Sequence, residues 1–279
     1  MQHDGRMRPL IAGLAGTALC GALVGCGSQG ADSAVDGLPR ASHQYHGPLS
    51  VERGRYGAAA EALDCPPAAG QRSRSDPYGD GATSGSVEGA LDTAVSEGLF
   101  LFAPTDELRL AATTSDRALL VHESGGRILM ALVFRNGPAT EGAGGAGWYL
   151  EAAARCDFAE FPEEFAERAG YQLWRDDRGD PVPVTEVYST PGSAHCEWQS
   201  MTFLVLDRER DMYVQDPLPA LEKFLSGPYE VDVTLPDGAR DLGVERDGRH
   251  LWLAADGSYA YVGTLEHLEA WPRIDTGCA

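Results

Sequence analysis

Lysine is almost missing from this chain of 279 residues: Lys223 stands alone against 21 arginines, and the two types together number 22 against 42 acidic residues. The formal charge of −20 repels phosphate backbones and anionic headgroups, so nucleic acid is not an expected partner. Long hydrophobic runs are lacking too, save one near the start. No later segment approaches the roughly 18 apolar residues of a membrane-spanning helix. Catalytic motifs are absent: there is no G-x-S-x-G, no C-x-x-C, and no S-x-x-K, because Ala220 stands three before Lys223. His122-Glu123 has no second histidine to complete H-E-x-x-H. "DDRGD" and "DRERD" lack the ligand order of a calcium loop and read as solvated turns. The paired carboxylates of a glycosidase come from distant positions, and among so many acids nothing singles out a pair.

The one long apolar run sets the compartment. Arg6 and Arg8 precede Leu10 to Gly25, an apolar stretch of about 16 residues, long enough for a secretory signal and short for a membrane span. It ends in "LVGC", Leu23 to Cys26, with no A-x-A-like site, and the flexible Gly-Ser-Gln-Gly follows. Cys20 is the poorer candidate, since bulky Leu19 precedes it where a small residue is needed. "LVGC" resembles the lipobox of bacterial lipoprotein precursors. That resemblance implies a diacylglycerol on Cys26, cleavage before it, and anchorage on the outer face of the cytoplasmic membrane. Without Asp4, Arg6 and Arg8 the remainder carries 20 basic and 41 acidic residues, a net of −21. Scarce lysine with abundant Ala and Gly points to a high-GC genome. With the lipobox, "GWYLEAAARC", "HCEWQSMTFL" and the terminal "WPR…GCA", the chain resembles lipoproteins of high-GC actinobacteria.

Beyond Cys26 the organisation is read from composition and period. Residues 26–42 are Gly/Ser/Ala/Asp-rich and read as a flexible tether. Residues 43–85 are irregular, with Cys65 pinning part of them, and 86–279 read as one α+β domain. Val87, Ala90, Leu91, Ala94, Val95, Gly98 and Leu99 share one helical face, and Ser86 is placed to cap it. Strands dominate afterwards. "RALLVHES" and "RILMALVFR" flank Gly125-Gly126, a two-residue hairpin signal, and "WYLEAAARC" reads as a third strand. Short helices are expected at Pro162–Ala169 and Leu218–Leu225. Asp-Gly turns near 237, 247 and 256 predict a meander of strands at 229–235, 240–246, 249–255 and 258–264. The expected fold is α+β, mostly antiparallel meanders with one amphipathic helix and two short ones. A single propeller blade fits the meander less well, because one blade cannot bury its own faces.

Six cysteines are present. With Cys20 in the signal and Cys26 lipidated, Cys65, Cys156, Cys196 and Cys278 remain for disulfides in an oxidising compartment. Three pairings are open. The favoured one joins Cys156 to Cys196 across two strands, and Cys65 to Cys278 at the chain end. His195 stands beside Cys196, but neighbours on a strand point to opposite faces, which argues against a thiol–imidazole pair. The same parity would line His195, Glu197 and Gln199 along one face, a candidate binding patch with a polar strand end as its plain alternative. "GAGGAG" (142–147) matches a dinucleotide fingerprint only in form, since it neither ends a strand nor opens a helix. "HQYH" offers His43 and His46 without companion ligands, so no metal or cofactor is expected. Together these features predict no catalytic residue, and a membrane-anchored protein that binds an envelope protein or ligand or plays a structural part. The other classes considered are an envelope-polymer hydrolase and, less favoured, a two-lobed solute-binding protein.

Overall fold

A computed structural model describes Val35 and residues 37–51, 56–66, 71–74, 83–96, 105–138, 145–207 and 211–275. The lipobox with Cys26, Cys278, and Gly142 to Gly144 of the glycine run lie outside the described residues. The fold is α+β and strand-dominated, as the turn and alternation signals predict.

The first half builds one antiparallel sheet from β1 (Gln71–Arg74), β2 (Arg109–Thr113), β3 (Arg117–Ser124), β4 (Arg127–Pro138) and β5 (Ala146–Arg155), in the order β1-β5-β4-β3-β2. Gly125 and Gly126 turn the β3–β4 hairpin with φ of 59° and 77°, a conformation side chains resist. "ALLV", "LMALVF" and "EAAA" are nearly unbroken apolar runs because both faces of the sheet are covered. On one face lies α2 (Val87–Ser96), whose Val87, Ala90, Leu91 and Ala94 pack on Leu120, Leu132, Phe134 and Trp148. Its N-cap is Ser86, which accepts from the Gly89 amide at 3.2 Å. The opposite face carries α1 (Gly57–Glu61) and the segment around Ala41 and Leu49, over Leu119, Val121, Val133 and Ala152. Glu151 is the extra residue of a bulge between Val133 and Phe134, and its buried carboxylate accepts from Arg117 and Arg135.

The folded body reaches further toward the N-terminus than a free tether through residue 42 would. Val35 is buried, and the backbone of Pro39, Ala41 and Tyr45 bonds to Leu110 and Ala111 of β2. This strap is fastened by Glu123, which accepts from the Ser42 and His43 amides and from the His43 ring.

The cysteine pairing is a correction. Cys65 is bonded to Cys156, their Cα atoms 5.9 Å apart, in place of the expected Cys156–Cys196 and Cys65–Cys278 pairs. The cause is a long-range docking: Asp64 exchanges bonds with Ile128 at the start of β4, and Cys156 donates to Leu129 beside it. Both cysteines therefore meet at one end of the sheet. Cys196 lies in a later turn and is half of a second disulfide, whose partner lies outside the described residues.

After β5 come three phenylalanines, Phe158, Phe161 and Phe165, packed together with centroids 4.3 to 6.1 Å apart, Phe161 and Phe165 stacked. Phe165 belongs to α3 (Glu163–Arg168), capped by Pro162 and ended at Gly170 with φ 84°. The chain then forms strands β6 (Gln172–Leu173), β7 (Arg175–Asp176), β8 (Val187–Pro191), β9 (Thr202–Leu206), β10 (Asp211–Gln215), β11 (Arg240–Arg246), β12 (Arg249–Leu253), β13 (Tyr259–Gly263) and β14 (Leu268–Pro272). Their two sheets, β10-β9-β8-β6 and β14-β13-β12-β11-β7, close on each other. On one side β6 and β7 are halves of a single strand interrupted at Trp174. On the other, Tyr213 of β10 bridges Arg273 just past β14, and Ile274 donates to Met212. The result is a small antiparallel barrel filled by Trp174, Val187, Leu204, Leu206, Tyr213, Leu251, Val262 and Trp271.

Two parts of the expected meander differ. Residues 229–235 do not form a strand: Asp232 has φ 53°, and prolines at 228 and 236 bound the stretch, which only skirts β14 through Glu230 and Val233. The last strand is β14, entered by a turn in which Thr264 and His267 bond to each other without glycine. The Leu218–Leu225 helix is a 3-10 turn, Pro219–Phe224.

The two halves are joined by Asp157. Its buried carboxylate accepts from the amides of Ala159, Val184 and Thr185, at 2.9, 2.9 and 3.3 Å. Asp157→Ala would orphan these donors and is expected to cost about 2–4 kcal/mol in denaturant unfolding. Non-reducing proteolysis with mass spectrometry should recover a linked peptide pair holding Cys65 and Cys156. A pair holding Cys156 and Cys196 would refute that connection. Closing 91 residues, the bond contributes about 4–5 kcal/mol by chain entropy.

Candidate binding site

Inward positions of the barrel alternate with outward ones. Outward Met201, Phe203 and Val214 are covered by the 218–225 segment, and outward Trp252, Tyr261 and Ala270 by residues 233–239. Inward residues are largely apolar through the middle, with Ser189 among them, and one end carries a cluster of polar ones. There Gln172, Thr202, Gln215, Arg246, Arg249 and Glu269 each stand two places along a strand from a residue of the barrel core: Trp174, Leu204, Tyr213, Val244, Leu251 and Trp271. Cross-strand registers bring this end together, with Thr202 opposite Gln215 and Arg246 opposite Arg249.

Glu269 is the centre of the mouth. Its Oε2 accepts from Trp271 Nε1 at 2.7 Å, Gln215 Nε2 at 2.9 Å and Arg249 at 2.9 Å. Tyr229 leans in from the connection between β10 and β11. Burial, and then the Glu269 carboxylate that its hydroxyl faces, push Tyr229 up to about 12. Arg246 donates to Gln172 Oε1 and pairs with Asp247 at 3.2 Å. The floor is two buried indoles, Trp271 and Trp174, the latter donating to Ser189 Oγ at 3.0 Å. The space between them is about 40 Å³. Charges and donors are held in fixed directions by strand backbone, which suits recognition. No local motif marks these residues. The signal they carry is one inward polar residue, two places from a core residue, on each of six strands.

His195, Glu197 and Gln199 are not on a strand. The chain turns at Gly192, Ala194–Cys196 form a 3-10 turn, and Glu197 is left-handed with φ 58°, so alternation does not apply and the three share no strand face. All three are exposed. His195 Nδ1 bonds Ser193 Oγ at 2.6 Å, and Gln199 donates to Ala194 O at 3.4 Å. The turn joins β8 to β9 next to Thr202, so it belongs to the rim at the polar end of the barrel.

A second cleft, about 340 Å³, lies at the end of β3 between Glu107, His122, Glu123, Glu164, Phe165 and Arg168. The His122 ring, 4% exposed, sits against Phe161 and Phe165. Among the described residues its Nδ1 has no hydrogen-bond partner, although Glu107 Oε2 lies 3.4 Å away. Burial holds His122 below its ordinary value, with Arg109 and Arg168 adding to the effect and Glu107 and Glu123 opposing it. Burial alone would raise Glu123, but the amides of Ser42 and His43 and the His43 ring outweigh it and hold the carboxyl low. His43 thus serves as a fastener, and the described residues hold no cluster of three or more metal-ligating side chains.

Comparison with protein-family models, with curated proteins and with solved structures finds no match.

The depressed His122 has a consequence for stability. The folded chain binds fewer protons than the unfolded chain below about pH 6.5, so this stabilisation is present above that pH and is lost as pH falls through it. Urea unfolding from pH 7.5 down to 5.5 should show His122→Phe losing stability less steeply than wild type. The difference in slope is bounded by about 1.4 kcal/mol per pH unit for one group. Equal slopes would remove His122 from the account.

Proposed function

We propose that the chain is an exported protein anchored by lipid at Cys26 on the outer face of the cytoplasmic membrane. It acts there by binding, with the polar mouth of the barrel as its binding locus, and its partner is an envelope protein or a small ligand. The observation that carries the binding reading is the mouth itself, where Thr202, Gln215, Arg246 and Arg249 line a cavity over two buried indoles, with Gln172 and Glu269 bonded to them. Glu269, surrounded by donors, is suited to orient its neighbours. The export reading is supported by "LVGC" and by disulfides at Cys65–Cys156 and at Cys196, bonds that form and persist in oxidising compartments.

Expression of the full chain in a lipoprotein-processing bacterium tests the anchor. Wild type should partition with membranes and Triton X-114 detergent phase, and its mature N-terminus should be lipidated Cys26. Cys26→Ala should retain the signal and lose the lipid. A soluble, unlipidated wild type would overturn the anchoring. Turnover of cell-wall polymer by the purified mature protein, abolished by one carboxylate substitution, would replace binding with hydrolysis.

A further inference from the structure

The mouth has an imbalance that names a ligand. Glu269 absorbs donors, yet the cluster supplies more donors than it uses. Arg249 gives one guanidinium nitrogen to Glu269 and to Val262 O, and Arg246 uses one on Gln172 and Nε on Asp247. The remaining guanidinium N–H groups and the Thr202 hydroxyl have no hydrogen-bond partner among the described residues, and the three residues line one cavity. Arg246 and Arg249 are partly exposed, so these donors meet water and are open to an acceptor that displaces it. Two guanidiniums facing a common space favour a planar anion, which they can grip through paired N–H groups.

Size and charge narrow the class. The space of about 40 Å³ is small and suits a compact group such as a carboxylate. Glu269 and Asp247 stand beside the arginines, so a dianion meets repulsion that a monoanion with one delocalised charge largely avoids. Trp174 and Trp271 close the inner side, so the ligand's body remains outside, over the rim. The rim contains the exposed Leu265 and the 193–199 turn with His195, Glu197 and Gln199.

From these groups we infer that the barrel mouth binds the terminal carboxylate of a monoanionic ligand, between Arg246, Arg249 and Thr202, with the rest of the ligand lying on the rim. The inference deepens the binding reading above and is independent of the lipid anchor.

The indole N–H groups of Trp174 and Trp271 report the site directly. With ¹⁵N-labelled mature protein at constant ionic strength, acetate and N-acetyl-alanine should shift these two resonances saturably in the millimolar range. N-acetyl-alaninamide, which lacks the carboxylate, should not. Inorganic phosphate should bind more weakly than acetate. Arg246→Gln, away from the Glu269 cluster, should weaken acetate at least about tenfold, the size of a lost charged hydrogen bond. Thr202→Val should weaken it less, and in both variants the remaining spectrum should match wild type. Shifts that never saturate, equal response to the amide, phosphate binding as tight as acetate, or wild-type affinity in Arg246→Gln would each overturn the inference. A failure here leaves the fractionation of Cys26→Ala unaffected, so the two readings fall separately.

Discussion

One carboxylate holds the molecule together at its seam. Asp157 lies where the layered half ends and the barrel begins, and it is buried where a polar group is tolerated only if its oxygens are occupied. They are occupied by backbone amides from both sides of the seam: Ala159 in the turn after β5, Val184 and Thr185 in the approach to β8. The residue before it, Cys156, is covalently tied to Cys65. Two adjacent residues therefore fix three separate stretches of chain, and the phenylalanine layer packs directly over them. Everything downstream inherits its position from this point.

The two halves solve the burial problem differently. The five-stranded sheet is covered on both faces by helices and the N-terminal strap, which is why its central strands carry apolar side chains on both sides. The barrel covers its inner face by closing. Its outer face is shielded by irregular segments that never form strands of their own, residues 218–225 and 233–239. Closure gives the polar end its character: a ring of strand ends converges on one small space, where an open sheet would have left the same side chains spread along an edge.

Much of the architecture is legible locally. The glycine pair between β3 and β4, the helical period from Val87 to Ala94 and the Trp148-Tyr149 start of β5 each settle one element from its own residues. What depends on distant partners is not legible. The bond between Cys65 and Cys156 follows from Asp64 docking on β4, which no spacing encodes. His195, Glu197 and Gln199 look alternate only while the chain is taken as extended, and the left-handed Glu197 removes that premise. The strand β14 hides because its entry turn is built by Thr264 and His267 without glycine. The mouth residues lie between 172 and 269, one to a strand, and become neighbours only when the barrel shuts.

The strap along β2 gives the molecule a mechanical property. Its backbone bridges β2 in parallel at Arg40, and Glu123 clasps it at Ser42 and His43. A force applied at the N-terminal end meets these bonds first and can peel the strap residue by residue. Peeling cannot pass Cys65, because the disulfide carries the load straight to the end of β5, beside the phenylalanine layer. The strap and α1 thus form a sacrificial length that extends under tension, while the sheet and barrel beyond the staple keep their shape.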